Sequence, residues 1–141
     1  MNRSLKLALL MWLLVPLVSL GQESSPRRVA VLLAVSPVYP PIALTANTSG
    51  DVKVAVTISE SGAVTKADFV SGSPLLHRAA VEAARRWKFE KPDQERKLEL
   101  TFSFRMVSKD TPPEDATSVF MPPYHSEVRG KLPPMTTNYV H

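Results

Sequence analysis

The residues that could carry chemistry in this chain are few, and their spacing does not bring them together. His77, His125 and His141 are far apart, and no HxxE or HxxxH pair forms a metal-binding pattern. Ser71 and Ser73 flank a glycine, but the G-x-S-x-G turn of a nucleophilic serine is absent. The chain has no cysteine, which excludes thiolate catalysis, zinc–thiolate sites and disulfides. We therefore expect no enzyme, no metal and no cofactor.

The charge of the chain does not favour nucleic acid as a partner. Lys and Arg number 17 and Asp and Glu number 13, a formal net charge of +4, and Arg3 and Lys6 lie in an apolar leader. The basic cluster around Arg85 and Arg86 falls in the last turn of a predicted helix, where it complements the helix dipole. A nucleic-acid interface needs a longer basic stripe with interleaved aromatic residues.

The first 21 residues resemble an export signal. Basic residues are followed by an apolar stretch over residues 7–18, and Ser19 and Gly21 have the spacing of a signal peptidase site. The apolar stretch is shorter than the roughly 20 residues of a membrane-spanning helix. We predict cleavage after Gly21 and release into the periplasm. Retention as an inner-membrane anchor facing the periplasm is the alternative, and membrane contact is expected only in that case.

Period-two alternation predicts a strand and its hairpin partner. Val52, Val54, Val56 and Ile58 alternate with more polar residues, and Gly62 can adopt the left-handed conformation that closes a hairpin. The returning strand over residues 64–71 has a mixed phase, which indicates a bulge or a two-sided environment. Before the hairpin, residues 22–35 form an amino-terminal segment, and a short helical turn begins at the proline pair 40–41.

A helix and a third strand complete the predicted domain. Ser73 and Pro74 form a strong helix start, and a buried face is predicted for Leu76, Ala80, Ala83 and Trp87. Residues 98–106 then alternate again as the third strand. Residues 108–141 contain three Pro-Pro pairs and little apolar periodicity, so we predict a proline-rich disordered tail.

These motifs together resemble the carboxy-terminal domain of TonB-type energy transducers. The resemblance covers residues 36–107, in order, and consists of Tyr39-Pro40, Gly50-x-Val52-x-Val54, Gly62-x-Val64, Ser71-Gly72-Ser73-Pro74-Leu75, Ala79-Ala80 and Trp87-Lys88-Phe89. It implies an α+β fold: a small two-layer β-β-α-β domain with a three-stranded antiparallel sheet and one helix packed on one face.

The resemblance also implies a docking site. The last strand would offer its edge to an extended peptide of an outer-membrane TonB-dependent transporter or another envelope protein, by strand addition. Mapped onto this sequence, the partner-binding residues are Lys97, Leu98, Glu99, Leu100, Thr101, Phe102, Ser103 and Phe104. The alternative is an envelope scaffold whose edge pairs with a second copy as a homodimer. Another alternative is an edge covered by the protein's own amino-terminal segment or tail.

Force transmission from the inner membrane is not expected. Family members that transmit force carry a membrane helix with a histidine and a long proline-rich spacer. The leader here has no histidine, and residues 21–37 span at most about 55–60 Å when extended. We therefore favour a free-standing periplasmic module.

Overall fold

A mixed five-stranded sheet, with one face covered by a helix, forms the body of the protein. The computed structural model describes residues 27–132, and its elements are β1 (Val31–Leu33), α1 (Pro41–Thr45), β2 (Gly50–Ile58), β3 (Val64–Ser71), α2 (Pro74–Arg85), β4 (Lys88–Phe89), β5 (Arg96–Val107), a 3₁₀ helix (Pro113–Ala116), β6 (Val119–Met121) and β7 (His125–Lys131). The predicted leader, residues 22–26 and residues 133–141 lie outside the described residues.

The strand order β3-β2-β5-β7-β6 corrects the predicted three-stranded sheet. The three predicted strands are present and antiparallel, but β7 adds to β5 in parallel and β6 pairs antiparallel with β7. A parallel neighbour requires a long connection, since the chain must return to the same end of the sheet. Residues 108–124, with the 3₁₀ helix and β6, provide that connection.

The β2–β3 hairpin confirms the local sequence patterns. Gly62 has a φ of +85° in the turn, as predicted. The register between β2 and β3 shifts at both ends, so that Thr65 and Val70 are extra residues on β3. These two bulges explain the mixed phase of β3, since each one reverses the face on which later side chains lie.

α2 packs on the sheet through the predicted face. The Ser73 hydroxyl accepts a hydrogen bond from the Leu75 amide at 3.3 Å, which caps the first turn ahead of Pro74. Leu76 and Ala80 are fully buried on this face, against the β2 and β3 strands. The small alanines let the helix axis approach the sheet closely.

Trp87 and Phe89 anchor the core, also as predicted. Both are almost completely buried, just after α2 and within β4. The Trp87 ring makes an edge contact with Phe102 of β5 at 5.8 Å, and Phe89 lies 6.0 Å from Trp87. Buried aromatic pairs of this kind contribute about 0.5–1.5 kcal/mol each beyond their area burial.

The prediction of a disordered tail is wrong for residues 108–132, because this segment contributes to the core. Ser126, Val128 and Gly130 alternate on the buried side of β7. Val128 belongs to the main apolar cluster, and Ser126 is 1% exposed. Small and polar residues at buried positions give no apolar alternation, so the sequence pattern of β7 resembles that of a solvated loop.

The amino-terminal segment is also tied to the body of the protein. β1 pairs antiparallel with β4, and the Tyr124 hydroxyl donates to the Val29 carbonyl and accepts from the Val29 amide, each at 2.9 Å. Further along, the Ser36 and Ser126 hydroxyls are 3.0 Å apart. The segments on both sides of the predicted domain therefore hold each other in place.

The close approach of β7 to Tyr39 makes Gly130 a sensitive position. A Cβ added at Gly130 would lie 2.5 Å from the Tyr39 ring and 2.7 Å from a Leu44 methyl group. We predict that Gly130→Ala lowers the free energy of unfolding by about 1–3 kcal/mol, because the buried ring has to move. Urea unfolding measures this change. Leu132→Ala, at an exposed residue just beyond β7, is the control and should leave stability nearly unchanged.

Candidate protein-docking edge

The predicted docking strand is β5, and its outer side is covered along half of its length. β2 pairs with β5 along one side, from Gly50 opposite Phe104 to Ile58 opposite Arg96. On the other side β7 pairs in parallel, from Thr101 opposite His125 to Val107 opposite Lys131. The expectation of an open edge over residues 101–104 is therefore wrong, because the protein's own β7 occupies it.

The first half of β5 keeps an open outer side. The Thr101 amide donates to the Tyr124 carbonyl at 3.0 Å, so it points toward β7. Amide direction alternates along a strand, and the backbone groups of Lys97 and Glu99 therefore point to the same side, before β7 begins. No strand among residues 27–132 pairs with this side of residues 97–100.

The eight predicted partner-binding residues thus fall into two groups. On the α2 side of the sheet, Leu100, Phe102 and Phe104 are fully buried in the core, while Leu98 is half-buried. On the opposite face, Lys97 and Glu99 are exposed, Thr101 is partly exposed and Ser103 is buried. Glu99 pairs with Lys53 of β2 at 3.0 Å. Within this set, open backbone and exposed side chains coincide only at Lys97 and Glu99.

A polar cluster joins three strands on the face opposite α2. The buried Ser103 hydroxyl of β5 donates to the Asp51 carboxylate of β2 at 2.6 Å. The His125 Nε2 atom of β7 lies 2.7 Å from the same hydroxyl oxygen. Arg105 donates to Asp51 at 2.8 Å. The cluster therefore fastens β7 to the two strands that were predicted from the sequence.

This cluster contains Ser, His and Asp but is not arranged as a catalytic triad. In a triad the carboxylate orients the histidine, whereas here Asp51 bonds to Ser103 and Arg105. Ser103 is fully buried, so its hydroxyl is not accessible to a substrate. Among residues 27–132, no group of three or more His, Asp or Glu residues could hold a metal ion. The polar cluster is suited to holding β2, β5 and β7 together.

The hydrogen bond from Ser103 is the main cause that lowers the pKa of Asp51 below its ordinary value. Arg105 and His125 lower it further by their charge, while partial burial acts in the opposite direction. The Asp51 side chain is half-exposed, so solvent screening keeps the energetic effect small. The carboxylate is charged at neutral pH and stabilises the link between β2 and β5.

The residues that sequence reasoning missed lie in the segment that was assigned to the tail. Both His125 and Tyr124 belong to the segment that the sequence predicts as a proline-rich disordered tail. In the structure, His125 bonds to Ser103 and Tyr124 holds Val29. The alternation of the sequence His125–Lys131 between polar and small residues is a weak strand signal that could have indicated β7.

The described fold is a small α+β domain in which α2 covers one face of a mixed five-stranded sheet. The sequence profile of the Gram-negative bacterial TonB protein C-terminal family matches residues 35–106. This chain belongs to the TonB C-terminal family. Among solved structures, the solution NMR structure of the Pseudomonas aeruginosa TonB C-terminal domain shares 26% identity, covering 56% of this chain and 87% of that chain, with a TM-score of 0.49. No curated protein matches the chain.

Family membership states the general class of this protein. TonB C-terminal domains are non-enzymatic interaction domains of the cell envelope, and they interact with outer-membrane proteins. Within residues 27–132, every helix is too short or too polar to cross a bilayer. The family profile ends at residue 106, before the 3₁₀ helix, β6 and β7.

Because of the polar cluster, the free energy of unfolding should decrease at acidic pH. A lowered pKa means that the Asp51 carboxylate stabilises the fold above its unfolded pKa of about 3.9, and that this contribution is lost as pH falls through the lower folded pKa. We predict that Asp51→Asn costs about 0.5–1 kcal/mol at pH 7, and that the difference from the wild type shrinks below about pH 4.

Urea unfolding at several pH values measures this effect. Asp68→Asn is the matched control, because it removes an exposed carboxylate of β3 whose ion-pair partner is the exposed Lys66. Equal and pH-independent losses in both variants would contradict a role for the Asp51 charge.

Proposed function

We propose that this protein is a periplasmic interaction module that binds an extended peptide of an outer-membrane TonB-dependent transporter or another envelope protein by strand addition to β5. The open outer side of residues 97–100 carries the proposal, and the pairing of β7 with residues 101–107 indicates that this side of β5 accepts a parallel neighbour. Main-chain hydrogen bonds supply affinity in this mode of recognition, and alternate side chains supply selectivity.

The partner peptide first joins at residues 97–100. Lys97 and Glu99 each direct an N–H and a C=O group outward, so an added strand gains up to about four hydrogen bonds there. Strands flanking an open edge usually carry charged side chains that limit unwanted pairing, and Lys97 and Glu99 are both charged. This short stretch alone supports a weak complex.

A longer interface requires that the peptide replaces β7 at residues 101–104. The hairpin of β6 and β7 is held by the Ser103–His125 contact, by the Tyr124–Val29 bonds and by burial of Val128. These interactions reduce the apparent affinity for the peptide, because only the fraction of molecules in which β7 has left β5 can bind along residues 101–104. The protein's own hairpin and the partner therefore compete for one side of β5.

A proline at residue 99 tests strand addition at the open half. Glu99→Pro removes an N–H group that faces solvent, so the native ladder with β2 loses no bond while an incoming strand loses a donor. We predict that binding of extended transporter-derived peptides weakens at least tenfold. The measurement is a peptide titration followed by amide chemical shifts at residues 97–104.

Glu99→Ala is the matched control for this variant. It also loses the exposed ion pair with Lys53 but keeps the backbone N–H group, so peptide affinity should stay within about twofold of the wild type. Equal effects of the two substitutions would contradict strand addition at this site. Shifts that grow with protein concentration in the absence of peptide would instead support the self-assembling scaffold.

Competition with the hairpin is tested by loosening it. Tyr124→Phe removes the hydroxyl that bonds to both the N–H and the C=O of Val29. We predict that peptide affinity rises about fivefold, since about 1 kcal/mol less is needed to free β5. Tyr39→Phe is the control, because it removes a hydroxyl that bonds to Thr48 and keeps the ring that contacts β7. An unchanged or weaker affinity in Tyr124→Phe would show that β7 stays in place.

A further inference from the structure

An apolar groove with a volume of about 730 Å³ lies between α2 and the segment that leads into α1. Val38, Pro40 and Ile42 line one side, and Leu75, Ala79 and Ala83 line the other. The groove is on the helix layer, and none of its lining residues belongs to β5.

The groove brings together three exposed aliphatic side chains, two of which are among the most exposed of residues 27–132. Val38 is 82% exposed, Ile42 is 63% exposed and Leu75 is 37% exposed. Single exposed aliphatic residues are ordinary on a protein surface, but a contiguous apolar patch around a concave site is typical of an interaction surface. The small side chains of Ala79 and Ala83 let a bound chain approach α2 closely.

The walls of the groove are fixed before any partner binds. The Trp87 indole N–H donates to the Val35 carbonyl at 2.8 Å, and Ser36 is tied to Ser126 of β7. Pro37 and Pro40 restrict the backbone on either side of Val38. A pre-organised site loses little conformational entropy on binding, so even a short peptide can be held.

Positive charge surrounds the end of the groove near the carboxyl terminus of α2. Arg78 is paired with Glu82 at 2.8 Å along the rim. Arg85 and Arg86 also line the groove, are exposed, and form no ion pair with any residue between 27 and 132. The rim is therefore net positive, and it complements a carboxylate at this end.

The length of the groove limits the length of its occupant. Its α2 wall runs from Leu75 to Arg86, which is about 16 Å at 1.5 Å per helical residue. An extended peptide rises about 3.3 Å per residue, so about five residues fill this length.

We propose that this groove binds a short extended peptide of a partner protein that carries aliphatic side chains followed by acidic residues. The aliphatic part contacts Val38, Ile42 and Ala79, and the acidic end pairs with Arg85 and Arg86. This second site is separate from β5 and does not depend on strand addition. A partner could engage both sites at once, which raises the overall affinity by effective concentration.

The test uses the full-length protein and two capped synthetic peptides. One has the sequence Val-Leu-Val-Glu-Glu, and the other has two lysines in place of the glutamates. We expect saturable amide shifts at Ile42, Ala79 and Ala83 with the acidic peptide, and at least tenfold weaker binding of the basic peptide. Reversing the charges with Arg85→Glu and Arg86→Glu together should remove this preference.

Two substitutions of strongly exposed residues separate the groove from the rest of the surface. Val38→Asp should weaken binding of the acidic peptide at least tenfold. Leu32→Asp, at a β1 residue that is 71% exposed outside the groove, should leave it unchanged. Glu99→Pro should also leave it unchanged, so failure of the strand-addition proposal would not affect this result. Loss of binding in Glu99→Pro would place the peptide on β5 and overturn the groove proposal.

Other outcomes also overturn the proposal. The charge argument fails if the acidic and basic peptides bind equally, or if neither shifts the groove amides at millimolar concentration. The groove belongs to the protein's own tail if Tyr139→Ser combined with Val140→Ser shifts the same amides without peptide. Amide shifts in the groove that depend on protein concentration alone would assign it to a second copy.

Discussion

The indole of Trp87 is the contact on which the rest of the structure depends. Its ring meets Phe89 of β4, Phe102 of β5 and Phe120 of β6, and its N–H group holds the Val35 carbonyl. A single buried side chain thus connects the amino-terminal segment, the end of α2, the central strand and the hairpin beyond the family profile. Because the chain has no disulfide, packing of this kind has to fix the relative position of all four parts.

The position of β5 in the sheet leaves only part of its outer side open. With β2 on one side and β7 on half of the other, β5 is an interior strand at one end and an edge strand at the other. Its outer side is open at residues 97–100 and paired with β7 at residues 101–107. The β6–β7 hairpin, whose β7 strand runs parallel to β5, thereby protects a hydrogen-bonding edge that would otherwise promote non-specific pairing between molecules.

Local sequence rules predict the first part of this fold but not β7, and the reason is physical. The strand of Val52 to Ile58, the Gly62 turn and the Ser73 cap each obey a local rule, so sequence reasoning placed them correctly. β7 obeys no such rule, because Ser126 is buried through a hydrogen bond to Ser36 and Gly130 through contact with Tyr39. Both partners are about 90 residues away in sequence. The strand over residues 98–106 was therefore placed correctly, whereas β7, which covers half of it, was not predicted as a strand.

The covered half of β5 has a consequence for where this protein can be divided. The region shared with the family ends at residue 106, yet β5 shares seven backbone positions with a strand that begins at residue 125. A fragment cut at the homology boundary would leave a ladder of amides and the space filled by Val128 open to water. The folded sheet therefore extends to residue 131, beyond the family region that ends at residue 106. Residues 108–131 complete the sheet and the apolar core that the family region begins.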